Sequence, residues 1–246
     1  NEFCDWYLES CKPVFANDRD SSAAATVFRV FDHVFSVFLR LLHPVMPFIT
    51  EEVFHQLGYI PGDDSIMLAA WPRALSNADL QAKGATPEQV DLVTSKFELV
   101  RGIRNIRATY QIKPSQQIDV FITPTDEKSR TFLRRDIPSL QALTNAEQVV
   151  VDPDASLTDG PTAVAVGAMG TASVPLAELV DVEAEKQRLA KQQAEIEKSI
   201  EGSEKKLAKK EFVTRAPAEV VERERTVLRE RQEKLERVKE QLNVFT

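Results

Sequence analysis

From the first residues to about Lys113, apolar positions recur every third or fourth residue, the period of a helix with one buried face. Val27, Val30, Phe31, Val34, Phe38, Leu41 and Leu42 share one broad face, and His43-Pro44 closes it because the residue before a proline is disfavoured in the helical region. MPFITEEVFHQL predicts a second, proline-led helix, started by Pro47 or Thr50 and stopped by Gly58. SIMLAAWP is too short and too proline-bounded for a helix and reads as extended chain. TPEQVDLVTSKFELVRGIRNIRATYQI then puts Val90, Val93, Phe97, Val100, Ile103 and Ile106 on one stripe, with Thr86 capping and Pro87 at the first helical position. These segments predict a helix bundle over residues 1–113.

After Pro114 the period changes. In QQIDVFIT, Ile118, Val120 and Ile122 alternate with Asp119, Phe121 and Thr123, which predicts a strand. EKSRTFLRRDIPSLQALT reads as helical, and EQVVV followed by the glycine-punctuated TAVAVGAMGTASVPL suits strands closing in a hairpin. Residues 114–175 are therefore expected to form a small α/β domain. Gly160, Gly167 and Gly170 read as turn residues: neither GxGxxG nor GxxxxGK[ST] spacing occurs, and no helix pattern opens behind them.

At Leu176 the composition shifts to Glu, Lys, Arg, Gln and Leu. Leu179, Val182, Lys186, Leu189, Gln193, Ile196, Ile200, Ser203 and Leu207 step by three and four, a heptad seam with polar breaks. The breaker FVTRAP interrupts it, and Val221, Glu224, Leu228, Arg231, Leu235, Val238 and Leu242 resume the same stepping. Two helices joined so closely fold back on each other, and the first, at roughly 30 residues and 1.5 Å each, projects about 45 Å. Pro217 suits a helix start and argues against a parallel dimer. The expected fold is mostly α: a helix bundle (1–113), a small α/β linker domain (114–175) and a long antiparallel coiled-coil hairpin (176–246) turning at Phe212 to Pro217.

Composition narrows the function classes. With 43% hydrophobic and 28% charged residues the chain has the make-up of a folded globular protein. Its longest apolar stretches, such as VFSVFLRLL, fall short of the roughly 20 residues that a membrane helix needs. It opens on Asn1 rather than Met, directly into FCDWYL, and reads as a fragment of a cytoplasmic protein with no leader of its own. Cys4 and Cys11 are separated by about 10 Å along a helix, beyond disulfide reach, and read as buried thiols. There is no CxxC pair, and His33, His43 and His55 lack ligand spacing. The paired acids Glu51-Glu52 and Asp63-Asp64 sit where helix-dipole and turn roles account for them, and no nucleophile, base and orienter stand at motif spacing. On its own the chain is expected to be non-catalytic.

Net charge is -7, but the excess is local: residues 1–175 hold 22 acidic and 15 basic groups, residues 176–246 hold 16 of each. Two basic clusters stand out. RGIRNIRATYQIK contains Arg101, Arg104, Arg107 and Lys113 with no acid, the arginines drifting around one side of a helix; they suit phosphate, or a solvated face near the negative end of the dipole. At the expected hairpin tip, KKLAKKEFVTR supplies Lys205, Lys206, Lys209, Lys210 and Arg215 against Glu211 alone. Lys198 and Arg223, on the hairpin helices, complete the candidate phosphate contacts.

LLHPVMPFITEEVFHQL resembles the helix-Pro-helix signature of the anticodon-binding bundle in class I aminoacyl-tRNA synthetases for branched aliphatic amino acids, and FCDWYLESCKP, AWP and IRNIRATYQIKP resemble that group in the same order. DVEAEKQRL, KKL, FVTRAPAEVVERER and the final amphipathic helix resemble the C-terminal coiled-coil arm of valyl-tRNA synthetases. Isoleucine enzymes are expected to carry a Cys-rich zinc module near their end, and this chain has no cysteine after Cys11. The resemblance covers nearly all of the chain. It implies a tRNA-binding C-terminal region, with the cations above contacting tRNA(Val) and the arm meeting the outer corner of the L-shaped tRNA, where the D and T loops join. It implies a parent that joins valine to tRNA(Val) using ATP with Mg, both small substrates bound by a catalytic domain whose HIGH and KMSKS signatures are not in this sequence, nor is the editing domain. Some anticodon-contacting helices are expected upstream of Asn1, so no residue here is assigned to the anticodon. No cofactor or metal is expected in this fragment, and neither a membrane nor DNA as partner. The alternative is a non-catalytic protein-interaction scaffold in which the hairpin pairs with another coiled coil.

Overall fold

The computed structural model describes residues 3–17, 19–59, 64–154, 160–209 and 217–245. A π-helical turn at Phe3–Leu8 leads into α1 (Glu9–Asn17), α2 (Ser22–Leu42), α3 (Pro47–Gln56), a 3-10 turn at Ile66–Leu68, α4 (Asn77–Ala82) and α5 (Pro87–Thr109). Then come β1 (Ile118–Pro124), α6 (Glu127–Arg135), α7 (Ile137–Thr144), β2 (Ala146–Val151), β3 (Thr162–Gly167), β4 (Gly170–Pro175), α8 (Val182–Ala208) and α9 (Ala218–Asn243). The chain divides into two compact units, Asn1–Thr94 and Ser95–Thr246, the division falling inside α5. Among the described residues no helix is long and apolar enough to cross a membrane.

In the first unit the helix ends follow the sequence. Ser21 Oγ accepts from Ala24 N at the start of α2. Pro47 occupies the first turn of α3, and Gly58, with φ of +69°, follows its end in the left-handed region that glycine tolerates. Leu39, Phe54 and Ile66 form the buried cluster, with Phe35, Val53 and Tyr59 packed on it. Val30, Phe38 and Leu41, expected on the apolar face of α2, are exposed, because the cluster engages the adjoining stripe of Phe35 and Leu39, which the predicted face did not include. Cys11 is buried, and the side chain of Cys4 lies outside the described residues.

SIMLAAWP is not wholly extended: Ile66–Leu68 makes one 3-10 turn. Its cause is Glu51, whose Oε1 accepts from Ile66 N at 3.0 Å and whose Oε2 accepts from Ser65 Oγ at 2.9 Å. Burial acts to raise the Glu51 carboxyl; these bonds and His55, 3.1 Å away, outweigh it and hold the group below its ordinary value. Glu51 thus fastens a turn to α3. Asp63 of the other acidic pair lies outside the described residues.

The second unit is built on a four-stranded mixed sheet of order β2-β1-β4-β3, with β1 parallel to β2 and antiparallel to β4, and β3 and β4 forming a hairpin. Ile118, Val120 and Ile122 are buried, in line with the alternation. The single helical segment expected between β1 and β2 is two helices, broken at Asp136 because Pro138 in the next turn has no N–H to continue the ladder. Asp136 also receives the buried Lys96 ammonium of α5 at 2.7 Å.

α5 starts as its sequence predicts, with Gln89 N donating to Thr86 Oγ1 at 3.3 Å. Its burial begins only at Lys96 and continues through Leu99, Val100, Ile103 and Ile106, whereas Val90 and Val93 are exposed. The helix lies close on β3: a Cβ on Gly102 would fall 2.7 Å from the Ala165 Cβ, so only glycine fits there.

α8 and α9 form the predicted hairpin. Asp181 caps α8, its Oδ1 accepting from Ala184 N, and Pro217 precedes the first residue of α9. Residues 212–216 of the predicted turn, Phe212 included, lie outside the described residues. Leu189, Ile196, Ile200, Val221 and Val238 fill the seam. Three of its polar breaks meet one another: Ser203 Oγ donates to Glu224 Oε1 at 2.9 Å, and Arg231 Nη1 donates to Ser203 Oγ and to Ser199 O. Such a layer fixes register, since a slip would strand buried polar groups.

Candidate nucleic-acid interface

The arm is rooted on the end of α5. Phe245 meets the Tyr110 ring edge-on at 5.7 Å. Arg188 holds the buried Glu185 with both arms of its fork and reaches Thr109 O at 3.5 Å. Burial, and secondarily the Glu185 charge, raise the Tyr110 hydroxyl above its ordinary value. Gln116 Nε2 adds a bond to Leu179 O at 3.4 Å.

The three arginines of α5 are placed differently from one another. Arg101 is exposed. Arg104 Nε donates to Leu143 O at 2.8 Å, and Arg107 Nη2 donates to Lys113 O and Gln116 O at 2.8 and 2.7 Å. The last helical carbonyls and the irregular chain beyond them lack ladder partners, and a planar fork satisfies two carbonyls at once. Burial lowers the Arg107 pKa.

On the arm, Lys198, Lys205, Lys206, Lys209 and Arg223 are all exposed, while Lys210 and Arg215 lie outside the described residues. Lys205 pairs with Glu201, and Lys206 Nζ is 3.7 Å from Glu224 Oε1. Lys205 and Lys206 occupy the last turn of α8, where cations complement the dipole. Lys198, Lys209 and Arg223 are in no ion pair among the described residues.

A second basic feature was not singled out from the sequence. A groove of about 570 Å³ opens at mid-stem between α8 and α9, walled by Arg188, Lys191, Glu195, Ile196, Arg231 and Lys234. Helical geometry sets it on the same flank as the tip cations: Arg188 and Lys206 stand eighteen residues apart, five turns and about 27 Å along one line of α8, and Lys209, the residue that ends the helix, follows Lys191 at the same spacing in sequence. Lys198 falls on the Lys191 line, and Arg223 and Lys234 are three turns apart on α9. Glu197, Glu201 and Glu204 run along the other flank of the seam. The signal was available in the eighteen-residue spacing, and it emerges only when charges are counted by flank rather than by run.

Two family models match the chain. The anticodon-binding domain of tRNA ligase matches residues 1–122, and the valyl-tRNA synthetase tRNA-binding arm matches residues 181–245. Similar proteins include the valine–tRNA ligase of Carboxydothermus hydrogenoformans, 37% identical over 93% of this chain and 25% of that protein. That of Geobacillus stearothermophilus is 36% identical over 98% of this chain and 26% of its own length, and that of Laribacter hongkongensis 37% identical over 98% and 24%. The chain spans about a quarter of the length of these relatives. With the two models matched in order along a helical segment and a rooted hairpin, the chain belongs to the valyl-tRNA synthetase family and carries its anticodon-binding and tRNA-binding-arm regions.

Proposed function

We propose that this chain grips tRNA(Val) through its arm, within a longer cytoplasmic enzyme that joins valine to that tRNA using ATP. Residues 1–113 act as the anticodon-binding bundle, 114–175 as the linker and 176–246 as the arm that reaches the corner of the tRNA. The observation that carries this reading is the row of exposed cations Lys198, Lys209 and Arg223, in no ion pair among the described residues, on a hairpin whose apolar seam is filled from one chain. A filled seam leaves no apolar stripe for a second coiled coil, so the scaffold alternative is the weaker one. Lys205, Lys206, Lys210 and Arg215 extend the same basic end, and Arg101 is the α5 contact. Arg104 and Arg107, donating to main-chain carbonyls, shape the surface beside Arg101. Gly167 and Gly170 bracket a β-hairpin turn, and a strand rather than a helix follows them, so they do not form a phosphate loop.

Titration of the chain with tRNA(Val) at a series of salt concentrations tests the reading. Each neutralised phosphate contributes about 0.7 to 0.9 to the slope of log affinity against log salt, so replacing Lys205, Lys206, Lys209 and Lys210 with Ala is expected to lower it by about 3. Anticodon substitutions are expected to leave that loss unaltered. Wild-type affinity and slope in the four-Ala variant would make the tip a solvated charge run. A wild-type chain with no salt-dependent affinity for RNA would return the arm to the scaffold alternative.

A further inference from the structure

We propose that the mid-stem groove between α8 and α9 is a second phosphate-binding site, in which the sugar-phosphate backbone of an RNA strand lies against Arg188, Lys191, Arg231 and Lys234. The proposal rests on the reading that the arm binds tRNA, and it extends the contact from the tip along the stem.

The groove is organised by the protein's own bonds. Arg188 is fixed by its two bonds to Glu185, and Arg231 by its Nη1 bonds to Ser199 O and Ser203 Oγ. Among the described residues Arg231 commits only Nη1, leaving Nε and Nη2 to a ligand. Lys191 and Lys234 are exposed and in no ion pair among the described residues. Two anchored guanidinium groups flanked by two unpaired ammonium groups make a cationic wall whose ordering cost is already met in the fold. Glu195 is the acid in the groove, and Glu185 offsets Arg188, so the wall remains net positive.

The shape of the charge favours a nucleic-acid strand. The groove cations continue, along the line from Arg188 to Lys206 and on to Lys209, into the tip cluster about 27 Å away. A strand carries phosphates at regular intervals and can occupy such a line over its length, releasing counterions at each contact. The acidic flank with Glu197, Glu201 and Glu204 repels the same strand, which restricts it to one side of the arm.

The test is fluorescence anisotropy of the wild-type chain and K191A/K234A with an unmodified tRNA(Val) transcript across salt concentrations. The double variant is expected to bind about 10-fold more weakly at low salt and to lose about 1.4 to 1.8 from the slope, with helicity unchanged. K191R/K234R is expected to keep both affinity and slope. Salt-dependent wild-type binding combined with unchanged affinity and slope in K191A/K234A overturns the groove site and leaves the tRNA reading standing. Absence of any wild-type binding removes that reading and the groove site with it. Polyglutamate bound more tightly than the transcript, and lost in K191A/K234A, would assign the groove to an acidic protein segment and overturn the proposal as well.

Discussion

Two basic clusters look alike in the sequence and do different work in the fold. On α5, Arg104 and Arg107 turn to main-chain carbonyls at 143, 113 and 116; on the arm, Lys198, Lys209 and Arg223 stand in solvent. The difference lies in the backbone around them. α7 ends at Thr144, and α5 ends at Thr109 with the chain continuing irregularly to β1, so the carbonyls at 143, 113 and 116 need donors that a continuing helix would have supplied. α8 runs as one helix of 27 residues whose carbonyls are satisfied internally, and its lysines have no structural task except at the ends. The same residue types are therefore spent on folding in one place and left available to a ligand in the other.

The strongest way to break this contrast is Arg107→Ala. Two charge-assisted bonds disappear and two carbonyls lose a donor, so the second unit is expected to lose about 3 kcal/mol in denaturant unfolding. The salt slope of tRNA binding is expected to hold at the wild-type value. Unchanged stability with a smaller slope would show that Arg107 serves phosphate, as Arg101 is proposed to.

A milder probe sits where the two regions meet. Tyr110 has a raised pKa in the folded state, so its stabilising contribution is present in full below its ordinary value of 10.0 and is lost as pH rises through the higher folded value. Tyr110→Phe keeps the ring against Phe245 and removes the ionisable hydroxyl. The wild-type chain is expected to lose hydrogen-exchange protection at the arm root above pH 10, and the variant to lose less of it. Equal losses in the two proteins would show that ionisation of Tyr110 does not loosen the root.

Much of this architecture was legible because it is local. The cap at Thr86 and the alternation of Ile118, Val120 and Ile122 each depend on residues close in sequence. The seam of α8 and α9 was legible from its heptad stepping. What escaped depends on distant partners. Ser203, Glu224 and Arg231 read as weaknesses of the seam until they are seen bonded to one another across it. The 3-10 turn at Ile66 needs Glu51, fourteen and fifteen residues away from the groups it accepts from. Periodicity also names an apolar face without naming its cover: Phe38 and Val90 fit helical stripes and are 51% and 52% exposed. The tip cations were legible as a run, whereas the groove cations, scattered between acids on both helices, became a site only through helix pairing.

The finest test concerns a cation caught between the two uses. Lys205 belongs to the basic end of the arm, yet it is paired with Glu201 one turn earlier on the same helix, and the hydrogen bond from Lys205, with its charge, holds the Glu201 carboxyl below its ordinary value. With a depressed folded pKa, the pair is intact above the usual carboxylate range and is lost as pH falls through the lowered value, so at neutral pH an RNA phosphate must compete for the ammonium. Glu201→Gln removes the competitor and one negative charge from the arm while keeping a good helix former. An exposed pair of this spacing is a weak competitor, so the expected gain in tRNA affinity is roughly two-fold, with a slightly steeper salt slope. The same substitution in the Lys205→Ala background is expected to gain less, because the released cation is then missing and only the lost repulsion remains. If both backgrounds gain equally, Glu201 acts only through the overall field of the arm, and Lys205 does not touch the RNA.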